Sequence, residues 1–169
     1  MNHESAPSRL DYFRVCEVSD GHFFASEIFK VKLGGELPDY GRHVVALYKH
    51  GLQLVPLGYL NILRHESVAL IGGGCVYGKA FAHIQTEHSE AIRANGGAFY
   101  CMLKYVFTMM SDDYQAFFGY CGDKRAEEVD LKAGFKPTKY PYLLANFHTN
   151  VENHDRDELI EKIYALGEF

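Results

Sequence analysis

Residues 92–107, IRANGGAFYCMLKYVF, join two adjacent glycines to a long amphipathic segment. Gly96 and Gly97 let the backbone approach another group closely and expose consecutive N–H donors. Apolar side chains then recur at spacings of three and four, which predicts a helix with a wide buried stripe; they are Phe99, Met102, Leu103, Val106, Phe107 and Met110. Because a helix start also directs unpaired N–H groups and a positive dipole end at the same place, this segment predicts a phosphate cradle. The alternative is a glycine turn that starts a helix and binds nothing.

The first half of the chain predicts strands around one helix. Residues 11–18 alternate as a strand, and Asp20 is expected to N-cap a helix that ends at Gly34. The segments HVVALYKHG and QLVPLGYLNILRHE predict two adjacent strands with Gly51 in the turn. Residues 79–88, KAFAHIQTEH, alternate Ala and Ile with polar residues and predict a further strand leading to the glycines.

The second half predicts a strand at QAFFGYC and a helix from Asp123 to Gly134. Extended segments follow in FKPTKYPYLLANFH, and a last helix is expected to start at Asp155 or Asp157 and to end at Gly167. This order predicts a mixed α/β fold in which one sheet is flanked by helices.

Length and composition limit the classes of function that are open to this chain. A chain of 169 residues with 47% hydrophobic residues predicts a single domain over residues 1–169, with residues 1–10 frayed. Seventeen Lys and Arg against 22 Asp and Glu give a net charge of −5, which argues against a nucleic-acid partner. The sequence has no apolar run of membrane length and no secretory signal pattern, and its four scattered cysteines are expected to be reduced, so a cytoplasmic location is expected.

Other ligand motifs fit poorly. The P-loop pattern GxxxxGK[ST] is absent, and Gly72–Gly73–Gly74 opens no GxGxxG helix, so this triple glycine is interpreted as a bulge or tight connection. No metal is expected, because His83 and His88 would face opposite sides of the strand predicted over residues 79–88.

Two motifs resemble those of the GNAT N-acyltransferase superfamily. The run 93–98, RANGGA, resembles its Q/R-x-x-G-x-G/A acyl-CoA loop, and the run 123–135, DKRAEEVDLKAGF, is similar to its N-x-x-A-x-x-L-Y-x-x-x-G-F helix. The two motifs lie about thirty residues apart in the order that the family shows. The resemblance implies a GNAT-type single mixed sheet, largely antiparallel and flanked by helices.

The resemblance also implies a cofactor site. The pyrophosphate of acetyl-CoA, or of another acyl-CoA, would lie on backbone N–H groups near the start of the helix, while its pantetheine arm would pair with residues 83–88. Asp123 stands where the family often has Asn and is expected to bind the cofactor or to cap the helix. The expected cofactor-binding residues are Arg93, Ala94, Asn95, Gly96, Gly97, Ala98, Phe99 and Asp123.

The catalytic groups depart from the family pattern. Asp130 stands where the family often has its general-acid tyrosine, so Asp130 with a raised pKa, Tyr120 or water is expected to supply the proton. The usual glutamate base is also missing, and His83 is the candidate base, since neutral imidazole accepts a proton near pH 7. The nearby alternatives are Glu87, His88 and Glu90. The structural alternatives are a strand histidine with a structural hydrogen bond for His83 and a solvated helix carboxylate, in the run EEVD, for Asp130.

The implied reaction is transfer of an acetyl group from acetyl-CoA to a primary amine, by direct attack in a ternary complex. A small molecule or a peptide is the expected acceptor, Tyr59, Tyr77 and Tyr140 are candidates for its pocket, and a homodimer is one possible assembly. Two alternatives stay open: a non-catalytic acyl-CoA sensor or interaction module on the same fold, and a structural α/β protein whose glycine loop binds no phosphate.

Overall fold

The computed structural model describes residues 10–169, which form a seven-stranded sheet flanked by helices. The strands are β1 (Phe13–Val18), β2 (Arg42–His50), β3 (Gln53–His65), β4 (Val68–Val76), β5 (Ala116–Tyr120), β6 (Lys136–Pro137) and β7 (Leu143–Phe147). The helices are α1 (Gly21–Leu33), α2 (Thr86–Ala94), α3 (Gly97–Met109), α4 (Lys124–Ala133) and α5 (Asn153–Leu166), with 3-10 helices at Gly78–His83 and Ser111–Asp113. The predicted mixed α/β class is confirmed.

The sheet has the order β1-β2-β3-β4-β5-β7-β6. Every neighbouring pair is antiparallel except β4 with β5, which run parallel over Val68–Ile71 and Ala116–Gly119. Residues 43–48 of β2 are all buried, as expected for a strand that is covered by helices on both faces. The single parallel pair is therefore flanked on both sides by antiparallel hairpins.

Helices cover both faces of the sheet. Residues of α3 and α4 form the largest apolar cluster with one face, through Met102, Leu103, Val106 and Ala133. On the opposite face, Ala25, Ile28 and Phe29 of α1 pack over β2 to β4, while Ile163 of α5 packs over β4, β5 and β7. We refer to these as the α3/α4 face and the α1/α5 face.

The triple glycine forms a bulge in β4, as the sequence predicted. Tyr59 pairs with Cys75 and Asn61 pairs with Gly72, so two β4 residues lie opposite Leu60. Gly73 has a φ of +59°, and a Cβ there would lie 2.8 Å from the Phe29 ring. Because that conformation and that contact both exclude a side chain, glycine is required at this position.

The prediction of a strand over residues 79–88 is wrong. The chain forms the 3-10 helix at Gly78–His83 and then begins α2 at Thr86. The side chains that face inward are Ala80, Ile84, His88 and Ile92, which are spaced by four residues and therefore follow the period of a helix. His88 stacks on Tyr12 at 3.6 Å between ring centroids, and its Nδ1 lies 2.8 Å from the Tyr48 hydroxyl, which holds α2 against β1 and β2.

The other predicted elements are confirmed, with small shifts at their ends. Asp20 accepts a hydrogen bond from the Phe23 N–H at 2.9 Å, and Gly34 ends α1 in the left-handed conformation. The last helix begins at Asn153, two residues before Asp155. The predicted frayed segment lies outside the described residues except for Leu10. Within residues 10–169, no helix is both long enough and apolar enough to cross a membrane.

We expect Gly73→Ala to destabilise the fold by about 1–3 kcal/mol, because it adds a strained left-handed alanine and a contact with Phe29. Gly78→Ala is the matched control, since a Cβ there meets no atom within 4 Å. Urea unfolding followed by circular dichroism measures both variants. Equal midpoints for the two would contradict the assigned bulge.

Candidate functional site

The main feature of the site is an opening between β4 and β5. Their parallel pairing ends at Ile71 and Gly119, and the bulge carries β4 away from β5 beyond that point. A cavity of about 130 Å³ lies there. Its lining comes from β4, β5, α3, α4 and the end of the described chain, and includes Gly72, Gly73, Gly74, Phe99, Leu103, Gly119, Tyr120, Cys121, Asp130, Phe135 and Phe169. We call this opening the cleft.

The first turn of α3 brings Phe99 into the lining of the cleft. Gly96 precedes the helix with a φ of 98°, Gly97 opens it with a φ of 89°, and the Gly96 N–H donates to the Arg93 carbonyl at 3.0 Å. A Cβ on Gly97 would meet no atom within 4 Å, so the backbone here faces open space. The first N–H groups of an α-helix have no partner within the helix, and they carry its positive dipole end. The predicted cradle therefore has a half-buried glycine backbone with open space at Gly97, and an exposed Arg93 beside it.

Asp130 is a buried carboxyl in the wall of the cleft. It is 7% exposed although the rest of α4 is mostly polar. Burial raises the pKa of Asp130 to about 6, while the neighbouring Cys121 thiol, which also donates to the Asp123 carbonyl at 3.3 Å, lowers it in part. Burial and the neighbouring carboxylate raise the pKa of Cys121 to about 12, so the thiol keeps its proton. Asp130 can therefore both hold and release a proton near neutral pH.

Tyr120 borders the cleft from the end of β5. Its ring contacts Phe169 edge to face, with 5.2 Å between the ring centroids. Burial raises the pKa of Tyr120, and the nearby Tyr164 and Glu168 raise it further. The phenol is therefore protonated and has negative charge close to it.

The structure brings some predicted residues together and separates others. Phe99, Tyr120 and Asp130 line the cleft, whereas the residues from Arg93 to Ala98 precede Phe99 in the chain and are not among the lining residues. His83 and Glu87 are exposed and are not among the cleft-lining residues. Residues 83–88 do not form the strand that was expected to pair with pantetheine, because they connect a 3-10 helix to α2.

Asp123 and the three candidate tyrosines have structural partners. The Asp123 carboxylate caps α4 by accepting from the N–H groups of Arg125 and Ala126 at 3.0 and 2.9 Å. Tyr59 is fully buried, and its hydroxyl lies 2.7 Å from His43 Nδ1. The other two lie outside the cleft lining: Tyr140 stacks on Tyr164 at 3.7 Å, and the Tyr77 N–H donates to the Leu57 carbonyl.

Two other features of the described residues, a larger cavity and an acidic cluster, do not combine a helix start with a buried carboxyl as the cleft does. A larger cavity of about 410 Å³ lies beside β7 and α5, and the start of α3 does not contribute to it. In the part of the chain described, His154, Asp155 and Glu158 form one exposed group with metal-ligand spacing. Exposed acidic clusters of this kind are common without a metal, so it identifies no site.

Sequence reasoning missed two parts of the cleft. Cys121 was assigned to a buried strand, yet it lies against Asp130, and no short motif links these two positions. Phe169 lies 97 residues from Gly72 in the chain and contacts it only through the fold. The bulge at the triple glycine was the one available signal for where β4 leaves β5.

Comparisons with known proteins identify the fold. No family model matches the sequence, and no curated protein matches it. A protein of Lactobacillus plantarum whose name assigns it provisionally to the N-acetyltransferases has a TM-score of 0.51 at 12% identity, covering 82% of this chain and 100% of its own. A protein of Exiguobacterium sp. 255-15, assigned in the same way to the acetyltransferases, has a TM-score of 0.51 at 12% identity, with coverages of 80% and 93%.

A domain from Methanocaldococcus jannaschii DSM 2661 has a TM-score of 0.54 at 10% identity and covers 80% of this chain and 97% of its own. At such identities these likenesses concern the fold alone. The chain has the GNAT fold, as its two motifs implied.

Asp130 makes stability depend on pH. Its pKa is raised in the folded chain from an ordinary 3.8 to about 6, so the folded state binds the proton more tightly than the unfolded state does. The resulting stabilisation is complete below about pH 4 and is lost as the pH rises through about 6. We therefore expect Asp130→Asn to raise the free energy of unfolding at pH 8 by about 1–2 kcal/mol, with allowance for solvent screening.

Denaturant titrations at pH 4.5 and pH 8 measure this effect. Glu128→Gln on the exposed side of α4 is the control. The expected gain for Asp130→Asn is larger at pH 8 than at pH 4.5, and an equal effect at both values would contradict the raised pKa.

Proposed function

We propose that this chain, which has the GNAT fold, transfers an acetyl group from acetyl-CoA to a primary amine by direct attack in a ternary complex. The observation that supports this most strongly is the cleft itself. Two strands that stop pairing, the first turn of α3 at Phe99 and a buried carboxyl border one cavity. We propose that residues 10–169 act as a single acyltransferase domain.

The cofactor would be held largely by backbone groups. Its pyrophosphate would lie on the N–H groups of Gly97, Ala98 and Phe99, with Arg93 adding positive charge. Its pantetheine arm would lie along β4 beyond Ile71, where β5 no longer supplies hydrogen-bond partners. This replaces residues 83–88, which the sequence had suggested for that role.

The same edge of β4 would polarise the thioester. Buried backbone N–H groups require partners, and those along a diverging strand are available to a ligand carbonyl. Donors fixed before the reaction stabilise the negative charge that develops on that oxygen. Holding the thioester and the amine together contributes further, up to about 7–11 kcal/mol in favourable cases.

Asp130 would protonate the departing thiolate. A carboxyl with a pKa of about 6 is protonated in part of the molecules at pH 7, and its place in the cleft wall puts it beside the reacting groups. The amine would lose its proton to water, since His83 and Glu87 lie outside the cleft lining.

A non-catalytic acyl-CoA-binding module is the second candidate. It is favoured by the composition of β4 at the cleft, where three consecutive glycines offer no carboxylate or imidazole as a base. Such a module would bind acetyl-CoA without consuming it.

The first test concerns cofactor binding. Acetyl-CoA at 100 times its dissociation constant should raise the melting midpoint by roughly 2–4 °C. Ala94→Glu places a negative charge beside the start of α3 and should weaken binding about threefold to tenfold, whereas the neutral Ala94→Gln should not. Isothermal titration with acetyl-CoA measures both variants, and the absence of binding to the native chain would favour a structural protein with an ordinary glycine turn.

The second test concerns turnover. We expect Asp130→Asn to lower kcat by about 100-fold while leaving acetyl-CoA affinity nearly unchanged, because the amide cannot donate a carboxyl proton. Release of the CoA thiol in the presence of an amine panel measures this, and Glu128→Gln is the control. Binding without turnover by the native chain would favour the non-catalytic module.

A further inference from the structure

The two faces of the cleft differ in what occupies them. On the α3/α4 face, a Cβ on Gly74 would lie 2.8 Å from Leu60 and 2.8 Å from the Phe99 ring. On the α1/α5 face, a Cβ on Gly72 would lie 3.1 Å from the backbone oxygen of Phe169. The α3/α4 face is therefore closed at Gly74 by α3, while on the α1/α5 face Phe29 of α1 covers Gly73 and Phe169 covers Gly72.

Phe169 reaches the cleft through a sharp turn. Gly167, which follows the last residue of α5, has a φ of 83°, and the chain then runs back to the sheet. The Phe169 ring packs edge to face on Tyr120, while its backbone lies over Gly72, so it bridges the gap between β5 and β4. It is half-buried, in contrast to its exposed neighbours Gly167 and Glu168.

We infer that Phe169 determines which amines reach the thioester, by limiting their size on the α1/α5 face. This inference rests on the proposed function. Because the start of α3 directs the cofactor to the α3/α4 face, the amine has to approach from the opposite face. There Gly72 carries no side chain, and the backbone of Phe169 lies over it while its ring packs on Tyr120 at the end of β5.

The volume of the cleft also limits the acceptor. The small cavity, of about 130 Å³, leaves space for few heavy atoms beside an acetyl thioester. The acceptor class is therefore a small primary amine.

Two substitutions at this position move the size limit in opposite directions. Phe169→Ala removes the ring and should raise kcat/KM for 2-phenylethylamine about tenfold relative to ethylamine, in line with the discrimination that side-chain bulk provides. Phe169→Trp should shift the same ratio the other way. Leu166→Ala is the matched control, because Leu166 is an exposed apolar residue at the end of α5 and lies outside the cleft lining.

The experiment measures CoA release from acetyl-CoA with each amine for the native chain and the three variants. Acetyl-CoA affinity is measured in parallel by isothermal titration, and melting curves confirm that each variant is folded. The expected result is opposite shifts in the amine ratio for Phe169→Ala and Phe169→Trp, no shift for Leu166→Ala, and equal acetyl-CoA affinity throughout. CoA release by Phe169→Ala, with none by the native chain or the other variants, would also support the inference, because it would show that the Phe169 ring blocks both amines.

The failure of this inference and that of the proposed function are distinguishable. An unchanged amine ratio in a folded variant that binds and consumes acetyl-CoA overturns the role of Phe169 but leaves the acyltransferase standing. Binding of acetyl-CoA with no turnover of either amine by any variant overturns the proposed transfer reaction, and the role of Phe169 with it. Loss of acetyl-CoA binding in the native chain removes the proposed function itself.

Discussion

The parallel pairing of β4 with β5 ends at Ile71 and Gly119, and the rest of the site depends on that break. A strand in the middle of a sheet normally has hydrogen-bond partners along both edges. The bulge at Gly72–Gly73–Gly74 turns β4 away while β3 still pairs with it on the other side. The sheet therefore opens locally without splitting, and the gap is bordered by backbone on both strands.

The same break explains why Asp130 lies in an unusual environment. α4 follows β5 directly, so the helix begins where the opening lies, and Asp123 fixes that beginning by capping two N–H groups. Asp130 is then two turns further along, on the side of the helix that faces the gap. Desolvation there outweighs the effect of the neighbouring Cys121 thiol, which is why the pKa of Asp130 rises rather than falls.

Much of the fold could be predicted because its signals are local. Asp20 with Gly34, and Asp123 with Gly134, mark the ends of α1 and α4 through capping chemistry that depends on few residues. α2 was missed because one of its inward-facing residues is a histidine, which does not count as apolar, and because the pattern spans a 3-10 helix and an α-helix. The inward-facing residues are Ala80, Ile84, His88 and Ile92. Their spacing of four is clear only once His88 is known to stack on Tyr12.

Less of the site than of the fold could be predicted, because most of its contacts join residues that are far apart in the chain. The cradle at Gly96–Gly97 depends on consecutive residues, so a motif can reveal it. The burial of Asp130 cannot be recognised in the run EEVD, where the same pattern favours a solvated helix surface. Contacts between residues far apart in the chain, such as Phe169 with Gly72, depend on the finished sheet and leave no sequence signal.

In the proposed reaction, protonation of the leaving thiolate and deprotonation of the attacking amine take place on opposite faces of the sheet. The leaving thiolate would receive its proton from Asp130 on the α3/α4 face, while the amine would approach past Tyr120 and Phe169 on the α1/α5 face. An amine in direct contact with Asp130 would form an ion pair, which stabilises both charges and leaves neither a free amine nor a protonated carboxyl. A gap bordered by glycine backbone lets the thioester lie between the two groups and keeps them apart. The absence of side chains at Gly72 and Gly119 is therefore as important to this chemistry as the presence of Asp130.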